Sequence, residues 1–206
     1  MNKLTIAARS GSFATALGSV VVTSLDGNPV GSETALESII DTLEQGRDHG
    51  ASVYVIGNGG SAAVAAHIVN DFVNIGKLRA QTLHDPSVLT CMANDFGYDN
   101  AYSRMVTTLA REGDLLIAIS SSGKSRNICN AVEAAKTAKA KSLTLSGFRG
   151  DNPLRRLGDM NIWVPGEDYG MVEIAHLFIL HNLSDRLALR TRAKAGVDPL
   201  LASRDA

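Results

Sequence analysis

The feature that most constrains the fold of this chain is an alternation of short apolar runs with segments of helical periodicity. The runs 53–56 and 115–119 are apolar at every position, which is typical of strands buried on both faces of a sheet. Five strands are expected on this pattern, near 52–57, 80–84, 114–120, 141–146 and 160–164, with helices between them and a long helix from about Gly170. Strands that alternate with helices are joined by crossovers, so the sequence predicts an α/β fold with a five-stranded parallel sheet flanked by helices.

The N-terminal 50 residues are predicted to be helical. Phe13, Leu17, Val20 and Val21 fall on one face of a helix, and the residues at 26–29 form a turn that would close it. We therefore divide the chain into N-terminal helices over 1–50, an α/β domain over 51–190 and a polar tail over 191–206.

The first 25 residues also have, loosely, the composition of a transit peptide or weak signal sequence, because no acidic residue precedes Asp26. Gly11 and Gly18 interrupt the apolar stretch, however, and the helical face described above favours an ordinary packing helix.

Two similar turns follow predicted strands and precede predicted helices. We call residues 57–61, Gly-Asn-Gly-Gly-Ser, the glycine turn and residues 120–125, Ser-Ser-Ser-Gly-Lys-Ser, the serine loop. A strand that turns directly into a helix leaves backbone N–H groups pointing out of the helix start, where the helix dipole also favours an anion. Glycine permits close approach to a ligand, and serine hydroxyls add donors. The pair predicts a site for a small phosphorylated ligand.

Nucleotide-binding patterns match these turns poorly. Lys124 lies inside the serine loop rather than after a second glycine, so the loop is not a P-loop. Residues 57–62 fit Gly-x-Gly-x-x-Ala, but the following strand offers no acid for a ribose before Asp85, which lies in the next loop. A nicotinamide enzyme is therefore disfavoured.

The composition bears on which partners the protein binds and in which cellular compartment it is found. The chain has 206 residues, of which 45% are hydrophobic and 20% are charged, as is ordinary for a soluble protein. Its net charge is −1, so the bulk charge does not favour binding to nucleic acid. No stretch is long and apolar enough to span a membrane. Cys91 and Cys129 are not in a Cys-x-x-Cys spacing, so we expect reduced thiols and a cytoplasmic protein.

Two predicted helices carry groups capable of chemistry. His67 and Asp71 are four residues apart and project from one helix face. Glu173, His176 and His181 lie on the last helix in a mostly apolar segment, so each needs a partner if it is buried. Imidazoles and carboxylates from two helices could bind a divalent metal or transfer protons, although spacing alone favours an exposed polar pair for His67 and Asp71.

These motifs together resemble a known family. The glycine turn with Ala62, Ala63 and His67, then residues 93–98 (Ala-Asn-Asp-Phe-Gly-Tyr), then Ile119 with the serine loop, are similar in kind and order to the sugar-isomerase (SIS) domain family. The similarity runs from about Leu36 to Leu187 and is strongest to the phosphoheptose isomerase branch. The resemblance implies a flavodoxin-like sheet and a homotetramer, with the N-terminal helices packing on partner subunits and the active sites completed by neighbouring subunits.

The resemblance also implies roles for individual residues. Asp71 and His181 are the expected catalytic base and acid. The expected ligands of a divalent metal, Zn²⁺, are His67, Asp71, Glu173 and His181. The expected substrate-binding residues are Asn58, Gly59, Gly60, Ser61, Asn94, Asp95, Ser120, Ser121, Ser122, Ser125 and Glu173.

This chain departs from the branch at some of those positions. Asp71 stands where the branch carries a glutamate, Glu173 where it carries a glutamine, and Lys124 replaces the usual asparagine of the serine loop. The segment before Glu173 is also unusual, with Gly170 in place of an aspartate.

The implied reaction is aldose–ketose isomerisation of a phosphosugar, with sedoheptulose 7-phosphate converted to D-glycero-D-manno-heptose 7-phosphate through an enediol. The changed carboxylates leave two alternatives open: isomerisation of a different phosphosugar, and a non-catalytic SIS-domain binding protein.

Overall fold

The computed structural model describes residues 4–194 of the chain, which form seven helices and seven strands along with two short 3₁₀ turns. The helices are α1 Ile6–Gly18, α2 Ser32–Asp48, α3 Gly60–Asn74, α4 Pro86–Phe96, α5 Ala101–Leu109, α6 Arg126–Thr137 and α7 Tyr169–Lys194. The strands are β1 Val21–Ser24, β2 Pro29–Val30, β3 Ser52–Ile56, β4 Arg79–Thr82, β5 Leu115–Ser120, β6 Lys141–Ser146 and β7 Met160–Trp163.

Five strands form the predicted parallel sheet. The order across all seven strands is β2-β1-β7-β6-β5-β3-β4, and every neighbouring pair from β7 to β4 is parallel. Counted along the chain, the five parallel strands follow the order 2-1-3-4-5 of flavodoxin-like folds, which confirms the predicted fold class. The strand order reverses between β3 and β5, so the glycine turn and the serine loop, which follow these two strands, lie side by side.

Both faces of the sheet are covered, as the apolar runs require. Alternate residues of β5 enter different cores: Ile117 and Ile119 pack with α2, α3 and α7, whereas Leu116 and Ala118 pack with α5 and α6. These side chains are all 1% exposed or less, so each face of the central strand is fully removed from water. A rigid two-sided core fixes the strand ends from which the two turns leave.

The N-terminal segment corrects one expectation. Residues 1–50 were predicted to be helical, but Val21 lies in β1, which pairs antiparallel with β7 and with β2. The turn at 26–29 closes this hairpin rather than a helix, and Gly27 takes its positive φ of 78° there. Residues 21–23 are β-branched, which suits a strand, and the free edge of β7 supplies the partner that a local pattern cannot show.

The domain boundaries expected at residues 50 and 190 remain predictions. The last helix continues through the second of them to Lys194, and the remainder of the predicted tail, 195–206, lies outside the described residues. Within residues 4–194, none of the helices combines the length and the apolar character needed to cross a bilayer.

Candidate active site

The glycine turn connects β3 to α3, and Gly59 at its centre faces open space. Gly59 has a φ of 54° and precedes the first residue of α3, and the amides of Ala62 and Ala63 donate to its carbonyl. Gly59 and Gly60 are exposed, so the start of the helix, where the dipole favours an anion, is accessible to a ligand.

Asn58 joins the glycine turn to the neighbouring helix. Its side-chain amide exchanges two hydrogen bonds of 2.9 Å with the amide of Asn127, which is buried on α6. The Tyr98 hydroxyl donates a third bond, of 2.8 Å, to Asn58 Oδ1. Asn58 is predicted to bind substrate, and in this structure its side chain joins the glycine turn to α6.

The serine loop is closely packed and offers hydroxyls to the space in front of it. Ser120 and Ser121 are buried, and Ser120 Oγ donates to Ser125 Oγ at 3.1 Å. Among the described residues, none forms a hydrogen bond with the buried Ser121 Oγ. Because a buried hydroxyl is costly to leave unpaired, this oxygen is well placed to bind a ligand atom.

Asn152 supports the serine loop from behind. It is 1% exposed, accepts a bond from the Arg155 amide at 3.1 Å, and donates from Nδ2 to acceptors around the end of β6. Those acceptors are Ser146 Oγ at 3.1 Å, the Gly147 carbonyl at 3.3 Å and the Arg149 carbonyl at 2.8 Å. The amide lies directly against Gly123, which has a φ of 63°. Asn152 was not predicted, because its role depends on neighbours in another loop.

A cavity of about 310 Å³ lies between the two turns and the start of α7. It is lined by Asn58, Gly59, Gly60, Ser61, Ile119, Ser120, Ser121, Ser122, Ser125, Tyr169 and Glu173. Nine of the predicted substrate-binding residues are therefore brought together, and Tyr169 and Ile119 are additions. Asn94 and Asp95 are exposed on α4, where the Asn94 amide donates to Asp95 at 2.9 Å, and they stand outside the set that lines the cavity. A larger depression elsewhere on residues 4–194 lacks a comparable set of predicted residues.

A second group of side chains lies where α3 and α7 run side by side. His181 Nδ1–H donates to Asp71 Oδ2 at 2.7 Å, and the His67 ring packs edge-on against the His181 ring with centroids 4.9 Å apart. One ligand atom from each of His67, Asp71 and His181 lies within 4.8 Å of the others. Two imidazoles and one carboxylate suit a divalent transition metal and leave positions open for other ligands. We call these three residues the His–Asp cluster.

Glu173 lies apart from the His–Asp cluster in this structure. Its carboxylate packs against Gly60, where any side chain beyond hydrogen would overlap it. Gly60 is beside Glu173 and Gly76 is beside Leu187, so the two helices run parallel. Because α7 rises about 1.5 Å per residue, Glu173 and His181 are roughly 12 Å apart along its axis.

His176 is buried on the same helix, two turns after its start. It is fully shielded from water, and its Nε2–H donates to the Ser146 carbonyl at 3.1 Å, whereas none of the described residues bonds to its Nδ1. Burial lowers the pKa of His176 to about 4, so the ring is neutral near pH 7. Burial also lowers the pKa of His84, whose Nε2 accepts from the Gly57 amide at 3.4 Å.

Comparison with known proteins agrees with this geometry. A model of the SIS domain matches residues 28–147. The chain is 37% identical to the phosphoheptose isomerase of Campylobacter concisus over 157 residues, which cover 73% of this chain and 80% of the relative. The chain belongs to the phosphoheptose isomerases of the SIS domain family.

Other members of the family extend the match in sequence and structure. The phosphoheptose isomerase of Helicobacter pylori is 36% identical over 169 residues, covering 79% of this chain and 85% of that protein. The solved phosphoheptose isomerase of Neisseria gonorrhoeae superimposes with a TM-score of 0.76 at 28% identity, covering 88% of this chain and 97% of that one. Membership makes the protein an isomerase.

Proposed function

We propose that the protein interconverts sedoheptulose 7-phosphate and D-glycero-D-manno-heptose 7-phosphate in the cytoplasm. The observation that carries this proposal is the placement of a serine-lined cavity and the His–Asp cluster along the same two helices. The names of the relatives support the reaction class and the heptose phosphate.

The phosphoryl group is assigned to the serine loop. Its hydroxyls and the amides at the start of α6 provide donors, and Ser121 Oγ is available for a bond. The carbon chain then extends along α3 and α7 towards the His–Asp cluster, with Glu173 beside it.

Asp71 and His181 are proposed as the proton-transferring pair. One of them removes a proton from C1 of the ketose to give the enediol, and a proton is returned at C2. A hydroxyl proton moves from O1 to O2 as the carbonyl shifts from C2 to C1. The 2.7 Å bond between the two residues fixes the imidazole orientation and allows a proton to pass between them.

The His–Asp cluster would also hold a divalent metal, which we propose is Zn²⁺, with Glu173 as a further carboxylate ligand if its side chain turns towards the ion. When bound, the ion would stabilise negative charge on the substrate oxygens. In the proposed homotetramer, Asn94 and Asp95 on the exposed helix α4 would contact substrate, as the family resemblance implies.

The test is the isomerisation rate of sedoheptulose 7-phosphate with Asp71→Asn and His181→Ala. Removing a general acid or base lowers kcat by about 10²–10⁴-fold, so both variants should fall by at least that lower figure. Asp185→Asn, an exposed position one turn beyond His181, is the matched control and should retain wild-type turnover. Undiminished turnover in either variant would remove that residue from the mechanism.

Metal analysis of the purified protein tests the cluster separately. His67→Ala should lose bound metal, whereas His49→Ala, which changes an exposed histidine at the end of α2, should not. A wild-type protein that turns over only another phosphosugar would establish the first alternative, and one that turns over none and holds no metal would establish the non-catalytic one.

A further inference from the structure

Tyr169 is an aromatic side chain that lines the active-site cavity without taking part in the core. It is the first residue of α7 and lies one turn before Glu173, so both side chains face the same space between the two turns. The residue is 60% exposed, so its ring is accessible to a ligand in the cavity.

Two contacts anchor the backbone at Tyr169. Asp168 accepts a bond from the Met171 amide at 2.9 Å, which caps α7, and the Arg9 guanidinium holds the same carboxylate with bonds of 2.9 and 3.1 Å. The start of α7 is thus tied to α1 at the point where Tyr169 leaves it.

The Tyr169 ring itself rests on Phe148. The two rings meet edge to face at 75°, with centroids 4.9 Å apart. Phe148 has a φ of 51°, a conformation unfavourable for a residue other than glycine, and it follows Gly147 at the end of β6. Strained residues of this kind cluster at ligand sites, because the surrounding structure must impose them.

We propose that Tyr169 is a substrate-binding residue that contacts the carbons between the phosphate and the reacting end of the sugar. This proposal rests on the function proposed above. The serine loop would bind the phosphoryl group and the His–Asp cluster would bind the carbonyl end of the sugar. Tyr169, on the remaining wall of the cavity, would then contact the middle of the sugar's carbon chain. A tyrosine ring packs on C–H groups, and its hydroxyl bonds to those of a polyol.

A contact with carbons that do not react should stabilise ground and transition states equally. Its loss therefore raises KM and leaves kcat nearly unchanged. Tyr169→Ala should raise KM for sedoheptulose 7-phosphate about tenfold, and Tyr169→Phe should raise it less, since only the hydroxyl is lost.

Binding calorimetry gives a readout that does not depend on turnover. The probes are heptitol 7-phosphate, which keeps the chain and phosphate but lacks the carbonyl, and inorganic phosphate. We expect Tyr169→Ala to weaken binding of heptitol 7-phosphate about tenfold and of inorganic phosphate less than about twofold. Phe178→Ala is the matched control, because Phe178 is a 52% exposed aromatic on the same helix that packs against Phe13 instead, and it should change neither constant.

Three results would overturn the proposal: no change in Tyr169→Ala, an equal loss for both probes, or no binding of heptitol 7-phosphate to the wild type. An equal loss would mean that Tyr169 acts through the serine loop. Failure of the isomerase function looks different, because heptitol 7-phosphate would still bind in a Tyr169-dependent way while sedoheptulose 7-phosphate is not turned over.

Discussion

The packing of Asn152 against Gly123 predicts strong energetic coupling between the serine loop and the loop behind it. A Cβ on Gly123 would lie 2.7 Å from Asn152 Cβ and would overlap its amide, so Gly123→Ala must displace a buried side chain. The φ of 63° adds about 1 kcal/mol for any L-residue. Asn152 makes four hydrogen bonds through two N–H groups and one oxygen, so we count about 1 kcal/mol for each of these three groups. With the backbone term, Gly123→Ala should cost about 4 kcal/mol of unfolding free energy.

A double-mutant cycle isolates this contact. Asn152→Gly loses the same bonds and should cost about 3 kcal/mol, but it removes the three atoms that would lie nearest to a methyl group at position 123. Gly123→Ala in that background should then add only the backbone term of about 1 kcal/mol, which gives a coupling free energy of about 3 kcal/mol.

Urea unfolding followed by circular dichroism measures all four proteins. Gly50→Ala is the matched control for the backbone term: Gly50 has a φ of 72°, and among the described residues nothing lies within 4 Å of the added carbon. The reasoning is refuted if Gly123→Ala costs no more than Gly50→Ala, or if the two changes in the cycle are additive.

Two further predictions about stability concern the buried His176 and the ion pairs between α7 and α2. The folded-state pKa of His176 lies below the unfolded value, so the unfolded chain binds the proton first as the pH falls. The free energy of unfolding should therefore fall as pH drops from about 6.5 to 4, by about 3 kcal/mol at most. His176→Gln should flatten this pH dependence, whereas the control His49→Gln should not. Arg190 bonds to Asp41 at 2.5 Å and to the buried Glu44 at 3.3 Å, linking α7 to α2. Arg190→Gln should lower the free energy of unfolding, measured in urea, by about 1–2 kcal/mol. If it lowers that free energy no more than Arg192→Gln does, the ion pairs of Arg190 contribute nothing to stability.

The parallel sheet could be predicted because its central strands, β3 and β5, are apolar on both faces. In β5 every residue is buried, so no amphipathic pattern competes with the strand interpretation. The hairpin of β1 and β2 escaped prediction because β1 has only four residues and takes its structure from β7, which lies far along the chain. A short β-branched segment preceded by a helical stripe gives no local sign of such a partner.

In the candidate active site too, some features could be predicted from local sequence and others could not. The two turns carry their own signal, since glycine and serine at a strand–helix junction favour an anion site. The convergence of His67 and His181 depends on α3 and α7 packing in parallel, which spacing within either helix cannot reveal; the family resemblance supplied it. Asn127 and Asn152 were missed because an asparagine acquires such a role only from the amides and carbonyls that folding brings to it.

The hairpin that joins β7 also has a consequence for handling the protein. Without β1, a row of unpaired amides and carbonyls along β7 would be open to another chain, since the strand's own residues, Met-Asn-Ile-Trp, lack the charge that protects an exposed strand. At the opposite border, β4 is only four residues long and begins with Arg79, which discourages such pairing. Removing residues 1–27, which precede the segment matched by the SIS domain model, would thus keep His67, Asp71 and His181 and invite self-association.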